Sequence, residues 1–547
     1  MSIPITIGVT GHRDLRSEDI PHLCRIVNEE LKKLIDAYPH SRIVMLNSLA
    51  EGADQLCAEA ALALGISLVA PLPMAAEEYR KDFSGEALTK FERLCSAASE
   101  VFVVIPSEPA HEQTREYFYR QAGIYVASHS HVLLALWDGS KATKTGCGTA
   151  EAVGFMLNTN YESSGGSLFK ATGDGAVIWI VAPRTNIAVP EEAFAVLLLE
   201  NSKGSLKKVL GDTDSFNKDA QIQTNTPSYP LVALEVMVTL SEKAKTFHTL
   251  YAKADGLSLH FRDKYLHIMR ILSLFGVGLV LSFLLYDEME SDLFLPVYGI
   301  ILLLSALCLV RASKGTYHKK YLEYRALAET LRVQFYLLAA NIEHDICDSF
   351  TWSQKNEIVW AKEAIAALLA GKKEQSSCAL ENIKAAWIDS QIGYHDEKVL
   401  RTGKKEHFNS GITRVMMIVS LALFAVVFSL EFFFSGIMTA VIPFDGLRGL
   451  FMIHEGQEVL LRGVFKILLG IISAVTLFLA NYYGKLSLKR KLSDHEKMAK
   501  LYKAAQLRWD DPCIAKEKLL IELAEEEIIE NGVWLSYCRD NTPGVSL

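Results

Sequence analysis

The sequence has no C-x-x-C pair, no G-x-G-x-x-G, no Walker-type G-x-x-x-x-G-K and no internal repeat. A zinc ribbon, a dithiol redox centre and the two commonest glycine-rich phosphate loops are therefore excluded. Nine cysteines are scattered singly along the chain, an odd and unclustered set that fits a reducing compartment. The histidines are dispersed as well, and His129 with His131 has no acidic or cysteine neighbour at ligand spacing, so no metal site is expected. With 34 Gly and 15 Pro, collagen-like and low-complexity order are ruled out. The 56 basic residues are outnumbered by 64 acidic ones, and a net charge of −8 argues against a nucleic-acid partner. The first residues reach His12-Arg13-Asp14 with no apolar run before them, so no signal peptide is expected.

What the sequence has is apolar residues in excess, with a mean hydropathy of +0.17, and they are gathered. Residues 271–286, 293–310, 415–430 and 467–483 carry no charge. At 1.5 Å per residue each spans roughly 24–27 Å, close to a ~30 Å hydrocarbon core once Arg270, Arg414 and Lys466 snorkel outward. The runs are apolar on every side, unlike the one-sided helices of a soluble core, and predict four transmembrane helices.

Basic residues sort the flanks. Arg262, Lys264 and Arg270 precede the first run and Arg311, Lys314, Lys319 and Lys320 follow the second, while residues 287–292 between them hold four acids and no base. The second pair repeats the arrangement, with Arg401, Lys404 and Lys405 before it and Lys485, Lys489, Arg490 and Lys491 after it. The positive-inside rule then predicts two hairpins with both chain termini in the cytoplasm. Glu431 interrupts the apolar sequence near the outer end of the third run and is a pore candidate, weighed against an interfacial position. Ser273, Ser282, Ser305, Ser420, Ser473 and Thr476 are the other polar candidates for a pore lining.

Residues 1 to about 200 read as α/β. Apolar, β-rich runs at 3–9, 42–47, 66–70, 101–105, 132–137 and 177–181 alternate with amphipathic stretches. In the first such stretch Ile20, Leu23, Val27, Leu31 and Leu34 mark one helical face. Apolar strands between helices predict a Rossmann-like parallel sheet covered on both faces, whose ligands bind beyond the carboxyl ends of its strands. Three loops fall there. They are Thr10-Gly11-His12-Arg13; Ser48 followed by Glu51-Gly52-Ala53-Asp54; and Asp138-Gly139, continued by Gly146, Gly148, Thr149 and Glu151. Glycines let backbone N–H groups approach a phosphate, helix N-termini favour anions, and Arg13 and His12 add charge-assisted donors.

The set GVTGHR, SLAEGAD and ALWDG followed by GCGTAEA, over residues 3–185, resembles the SLOG superfamily of Rossmann-like domains. The resemblance implies binding of a nucleotide or a nucleotide-derived signal. The enzymatic branch, similar to the cytokinin-activating phosphoribohydrolases, carries P-G-G-x-G-T-x-x-E. Here Gly146, Gly148 and Thr149 match, Ala152 stands at the position of the glutamate, and Lys144 and Thr145 replace the proline and first glycine. These departures argue against hydrolysis, so no catalytic residue and no cofactor beyond the signalling ligand is expected.

The remainder carries a second resemblance. The first hairpin followed by YLEYRALAETLR (residues 321–332), and the later segments WIDSQIGYH (387–395) and NGVWL (531–535), are similar to the SLATT family of membrane effectors. That family's setting implies a bacterial antiphage system, a separately encoded messenger-producing enzyme, a homo-oligomer and a pore in the inner membrane. After the first hairpin, Leu327, Leu331, Phe335 and Leu338 form an apolar stripe, with Arg325, Glu329 and Arg332 elsewhere on that helix surface. The polar stretch 203–226 reads as a loop or insertion.

The expected organisation is a sensing domain (1–200), a connector (201–245), a first hairpin with its helix (246–350), a helical connector (351–410) and a second hairpin with C-terminal helices (411–547). The expected function is a ligand-gated membrane effector. The alternatives are a membrane-anchored nucleotide-cleaving enzyme, phosphoribohydrolase- or NADase-like, with Glu151 or Asp54 as acid or nucleophile, and a membrane scaffold that binds no small molecule.

Overall fold

A seven-stranded sheet in the order β4-β3-β2-β1-β5-β6-β7 organises the N-terminal part of the computed structural model. The structure describes residues 1–106, 114–141, 148–157, 175–185, 187–222, 230–289, 292–434 and 457–540. The strands are β1 (Ile5–Gly11), β2 (Ile43–Leu46), β3 (Ser67–Leu72), β4 (Glu100–Val103), β5 (Val132–Trp137), β6 (Ala176–Val181) and β7 (Val196–Glu200). All neighbours pair in parallel except β7, which runs antiparallel to β6. Six strands coincide with the apolar runs expected from sequence. The edge strand β7 was not anticipated, because its VLLLE stretch is short and leaves Val196 and Leu198 exposed.

Alternation along the strands builds two cores. Ile5, Ile7, Val9, Met45 and Leu68 face one side, against α1 (Ile20–Ala37), α2 (Ala53–Ala63) and α3 (Gly85–Ala97). Val44, Leu46, Leu133, Ala135 and Val177 face the other, against α4 (Arg115–Ser128) and α5 (Thr149–Met156). Burial on both faces is why these strands read as continuously apolar. In α1 the expected stripe buries Leu23, Val27 and Leu31, whereas Ile20, in the first turn, is 42% exposed.

The polar stretch read as a loop is largely a helix, α6 (Ser205–Ile222). Its apolar residues recur at helical spacing and Leu206, Val209, Leu210 and Phe216 are buried. Asn217 of α6 closes two hydrogen bonds on the Ile3 backbone, accepting from its N–H at 2.9 Å and donating to its carbonyl at 2.8 Å. Helix α6 is thereby fixed at the entry to β1.

The chain divides into two compact units. The first comprises residues 1–257, 323–383 and 515–536, and so adds helices to the sheet: the start of α7 (Glu242–Met289), most of α9 (Tyr317–Ala339), α10 (Val359–Leu369) and most of α14 (Lys516–Asp540). Leu327, Leu331 and Phe335 of α9 are fully buried. Arg325, Glu329 and Arg332 are not on a solvated surface as expected. Arg325 pairs with Asp255 and Glu329, and Arg332 with Glu329 at 2.8 Å and Glu527 at 2.9 Å. Helices α7, α9 and α14 converge there, and the charges that the sequence places off the stripe meet partners from other helices.

The second unit is helical. It contains the rest of α7, α8 (Phe294–Gly315), α11 (Ser390–Phe434), α12 (Gln457–Leu486) and α13 (Leu488–Trp509). Four helices of the chain are long and apolar enough to cross a membrane. Large apolar side chains such as Leu274, Leu303, Val415 and Leu477 stand 58–72% exposed on them, the signature of surface meant for lipid. Glycines permit close packing: a Cβ at Gly276 would overlap the Phe478 ring, and one at Gly470 would sit 2.5 Å from a Leu284 methyl. Of the polar pore candidates, Ser273, Ser282, Ser305 and Thr476 donate to carbonyls four residues back, and Ser420 lies 3.4 Å from Thr476. Glu431 lies in the last turn of α11.

Candidate functional site

Strand order reverses between β1 and β5, so connections leave their carboxyl ends in opposite directions and open a crevice there. A cavity of about 580 Å3 occupies it, within the roughly 300–1,000 Å3 range of small-molecule sites. The loop after β1 supplies Thr10, Gly11, His12 and Arg13; the loop after β2 supplies Ser48 and Asp54; the start of α5 supplies Gly148, Thr149 and Glu151. These nine expected residues share one cavity. Glu51, Gly52, Ala53, Asp138 and Gly139 are not among its lining residues, and Gly146 lies outside the described residues.

Gly52 and Ala53 shape the site from behind. The Ala53 N–H donates to the His12 carbonyl at 3.1 Å, and His12 N–H donates to Leu136 at 3.1 Å, locking the first loop between α2 and β5. Gly52 sits at φ +84°, and a Cβ there would strike the carbonyl oxygens of His12 and Arg13. Gly11 faces Ala53 so closely that no side chain fits. In the second loop, Asn47 accepts from Leu49 N–H at 2.7 Å and donates to the Asp54 carbonyl at 2.8 Å. That clamp holds Leu49 at φ +59°, a conformation seldom adopted by a branched side chain.

Asp138 orients rather than lines. Its carboxylate lies 2.9 Å from His12 Nε2, with the two side chains 10% and 6% exposed. Burial raises the carboxyl's pKa, but the Ser140 side chain and N–H and the His12 ring outweigh it and hold it at about 2. His12 is lowered from its ordinary value, because burial outweighs the carboxylate. Arg184, directly after β6, grips Asp14 through two nitrogens at 2.9 and 3.1 Å. Across the cavity the Arg13 guanidinium lies 5.2 Å from the Tyr119 ring centre. Asp54 is buried against this cation, and burial pushes its carboxyl up to about 7.

At α5 the Glu151 carboxylate accepts the Gly148 N–H at 2.9 Å and caps its own helix. Ala152, at the position where the resembled hydrolases carry a glutamate, puts a methyl group on the cavity wall. Among the described residues no three His, Cys, Asp or Glu side chains converge on a metal position.

No family model matches the chain, and no curated protein matches it. The site's chemistry therefore rests on its own residues. Arginines 13, 120 and 184, Lys141 and the N-terminus of α5 make a wall suited to an anion. Tyr79, Tyr119, Trp137 and Phe155 supply aromatic surface. Sequence reasoning missed Arg184, although it follows a strand at the same edge and the carboxyl-end rule would have found it. It also missed Glu116, Tyr119 and Arg120, which reach the cavity from within α4, where no loop signal marks them.

Proposed function

We propose that this chain is a ligand-gated membrane effector, in which a SLOG-like domain binds a nucleotide-derived second messenger and drives SLATT-like helices to open a pore or disrupt the membrane. The observation that carries this reading is the cavity at the β1/β5 divergence, walled by Arg13, Arg184 and the α5 N-terminus, in a chain that also holds four membrane-length helices. The cavity favours a phosphate-bearing ligand by charge and backbone donors together.

The charge pattern supports two hairpins in a bacterial inner membrane with both termini in the cytoplasm, because basic residues flank each apolar pair and acids fill the first turn. Four helices from one chain enclose little lumen, so the working unit is a homo-oligomer. The messenger comes from a separately encoded enzyme, and the setting is antiphage defence; both follow from the family resemblances. A messenger shifts the equilibrium only as far as its affinities for the two states differ.

The test is mass spectrometry of small molecules retained by the full chain purified in detergent. The expected result is a nucleotide on the wild type that is absent from the Arg13→Ala, Arg184→Ala double variant. No retained nucleotide, or equal retention by both proteins, contradicts the reading.

One observation favours an enzyme as the second reading: Asp54, a cavity carboxyl held near pH 7, is suited to proton transfer. Incubating the full chain with AMP, NAD and ADP-ribose separates the two. Multiple turnovers lost in Asp54→Asn establish an enzyme, and stoichiometric binding without product supports the sensor.

A further inference from the structure

The cavity has two unlike walls. One is the charged rim already described. The other lies between α4 and α5 and is made by Ala122 and Val126 of α4, Leu133 and Trp137 of β5, and Ala152 and Phe155 of α5. A phosphate does not desolvate against such a surface, whereas a planar ring does so readily. One polar atom is set into this wall. The indole Nε1 of Trp137 is buried and has no acceptor among the described residues within hydrogen-bond reach. The neighbouring Trp179, 5.1 Å away between ring centres, shows the contrast, since its own Nε1 donates to the Trp137 carbonyl at 2.8 Å. A buried donor left unpaired is uncommon in a folded protein and is costly until something accepts from it.

We propose that Trp137 is a specificity residue of this cavity, its indole N–H donating to a ring acceptor of a nucleobase held between α4 and α5 while the ligand's phosphate stays at the arginine rim. The proposal rests on the nucleotide-binding reading above and adds which end of the ligand goes where. A nucleobase fits because it joins a flat apolar face to in-plane acceptor nitrogens or carbonyls. A sugar presents hydroxyls on both faces and would leave them unpaired against Leu133 and Phe155. Ala152 acquires a role in the same geometry: its methyl leaves the slot open where a longer side chain would fill it.

Calorimetry on the full chain in detergent, with AMP and ribose 5-phosphate as probes, isolates the base, because the two differ only in it. The wild type should bind AMP more tightly. Trp137→Phe keeps the ring and removes the N–H, and should weaken AMP about tenfold, the loss of one hydrogen bond, with ribose 5-phosphate unchanged. Ala152→Leu narrows the slot from α5 without touching the indole and should produce the same selective loss. If the wild type binds AMP and both variants leave AMP unaffected, or weaken the two probes alike, the base assignment is wrong and the nucleotide reading stands. If the wild type binds neither probe, the nucleotide reading fails and this assignment fails with it.

Discussion

Tyr125 and Gly371, far apart in sequence, share a hydrogen bond: the Gly371 N–H donates to the Tyr125 hydroxyl at 2.9 Å. Tyr125 belongs to α4, the helix that lines the cavity with Glu116, Tyr119 and Arg120. Gly371 belongs to a short strap after α10. Lys372 N–H on that strap donates to the Glu100 carboxylate, and Lys243, at the start of α7, donates from Nζ to the carbonyls of Leu369 at 2.9 Å and Lys372 at 3.2 Å. The Lys243 N–H adds a bond to Glu374 at 2.8 Å. Within the first unit, a cavity helix and the first turn of α7 are thus tied to the same few residues.

If α4 moves when ligand binds, this strap transmits the displacement to α7. Tyr125→Phe removes one hydrogen bond outside the cavity. It should leave ligand affinity within about twofold and lower ligand-driven membrane flux several-fold, since a neutral hydrogen bond contributes about 1 kcal/mol. Binding calorimetry and liposome flux on the same preparation check this, and unchanged flux removes the strap from the coupling route.

Asp54 sets a pH dependence. Its folded-state carboxyl, near 7, lies above the ordinary 3.8, so the folded chain holds the proton more tightly than the unfolded one. The stability this provides is fully present below the ordinary value and is lost as pH rises through about 7. Asp54→Asn, which cannot ionise, should therefore raise the melting temperature more at pH 8 than at pH 5. Thermal melts at the two pH values decide it, and an equal difference at both contradicts a buried ionising carboxyl.

The Arg332–Glu527 pair should be costly to break and cheap to replace. The side chains are 13% and 2% exposed. Glu527→Ala strands charge in a poorly solvated place and should cost about 3 kcal/mol, whereas Arg332→Met with Glu527→Leu should cost clearly less. Denaturant titration of the three proteins in detergent provides the comparison.

Packing of α7 on α12 depends on glycine. Leucine at Gly276 would overlap the Phe478 ring, and leucine at Gly470 would overlap Leu284. Each substitution should lower thermal stability in detergent by several degrees, on the order of 2 kcal/mol of overpacking strain. Melting points equal to wild type would mean that these helices do not pack this way in solution.

Much of this was legible in the sequence. Strands β1 to β6 announced themselves because both sheet faces are buried, and the loops at their carboxyl ends gave nine of the cavity residues. Sequence did not reveal which loop residues face the ligand and which brace the loop, because Gly52 and Asp138 have the same residue types as true contacts and differ only in direction. The cavity side of α4 was hidden for a related reason: Glu116, Tyr119 and Arg120 lie on a helix whose polar face looks solvated until α5 closes beside it. Helix α6 was missed because its buried face is interrupted by Asn217 and Thr213, polar residues satisfied by partners distant in sequence or by their own helix.

Ion flux across liposomes carrying the full chain tests the proposal most directly. Flux is recorded before and after adding the nucleotide released from the purified protein to the side bearing the sheet domain. The proposal predicts a baseline near that of empty liposomes, a rise on addition, and no rise for Arg13→Ala with Arg184→Ala. Flux that ignores the nucleotide, or none in its presence, would contradict a ligand-gated membrane effector.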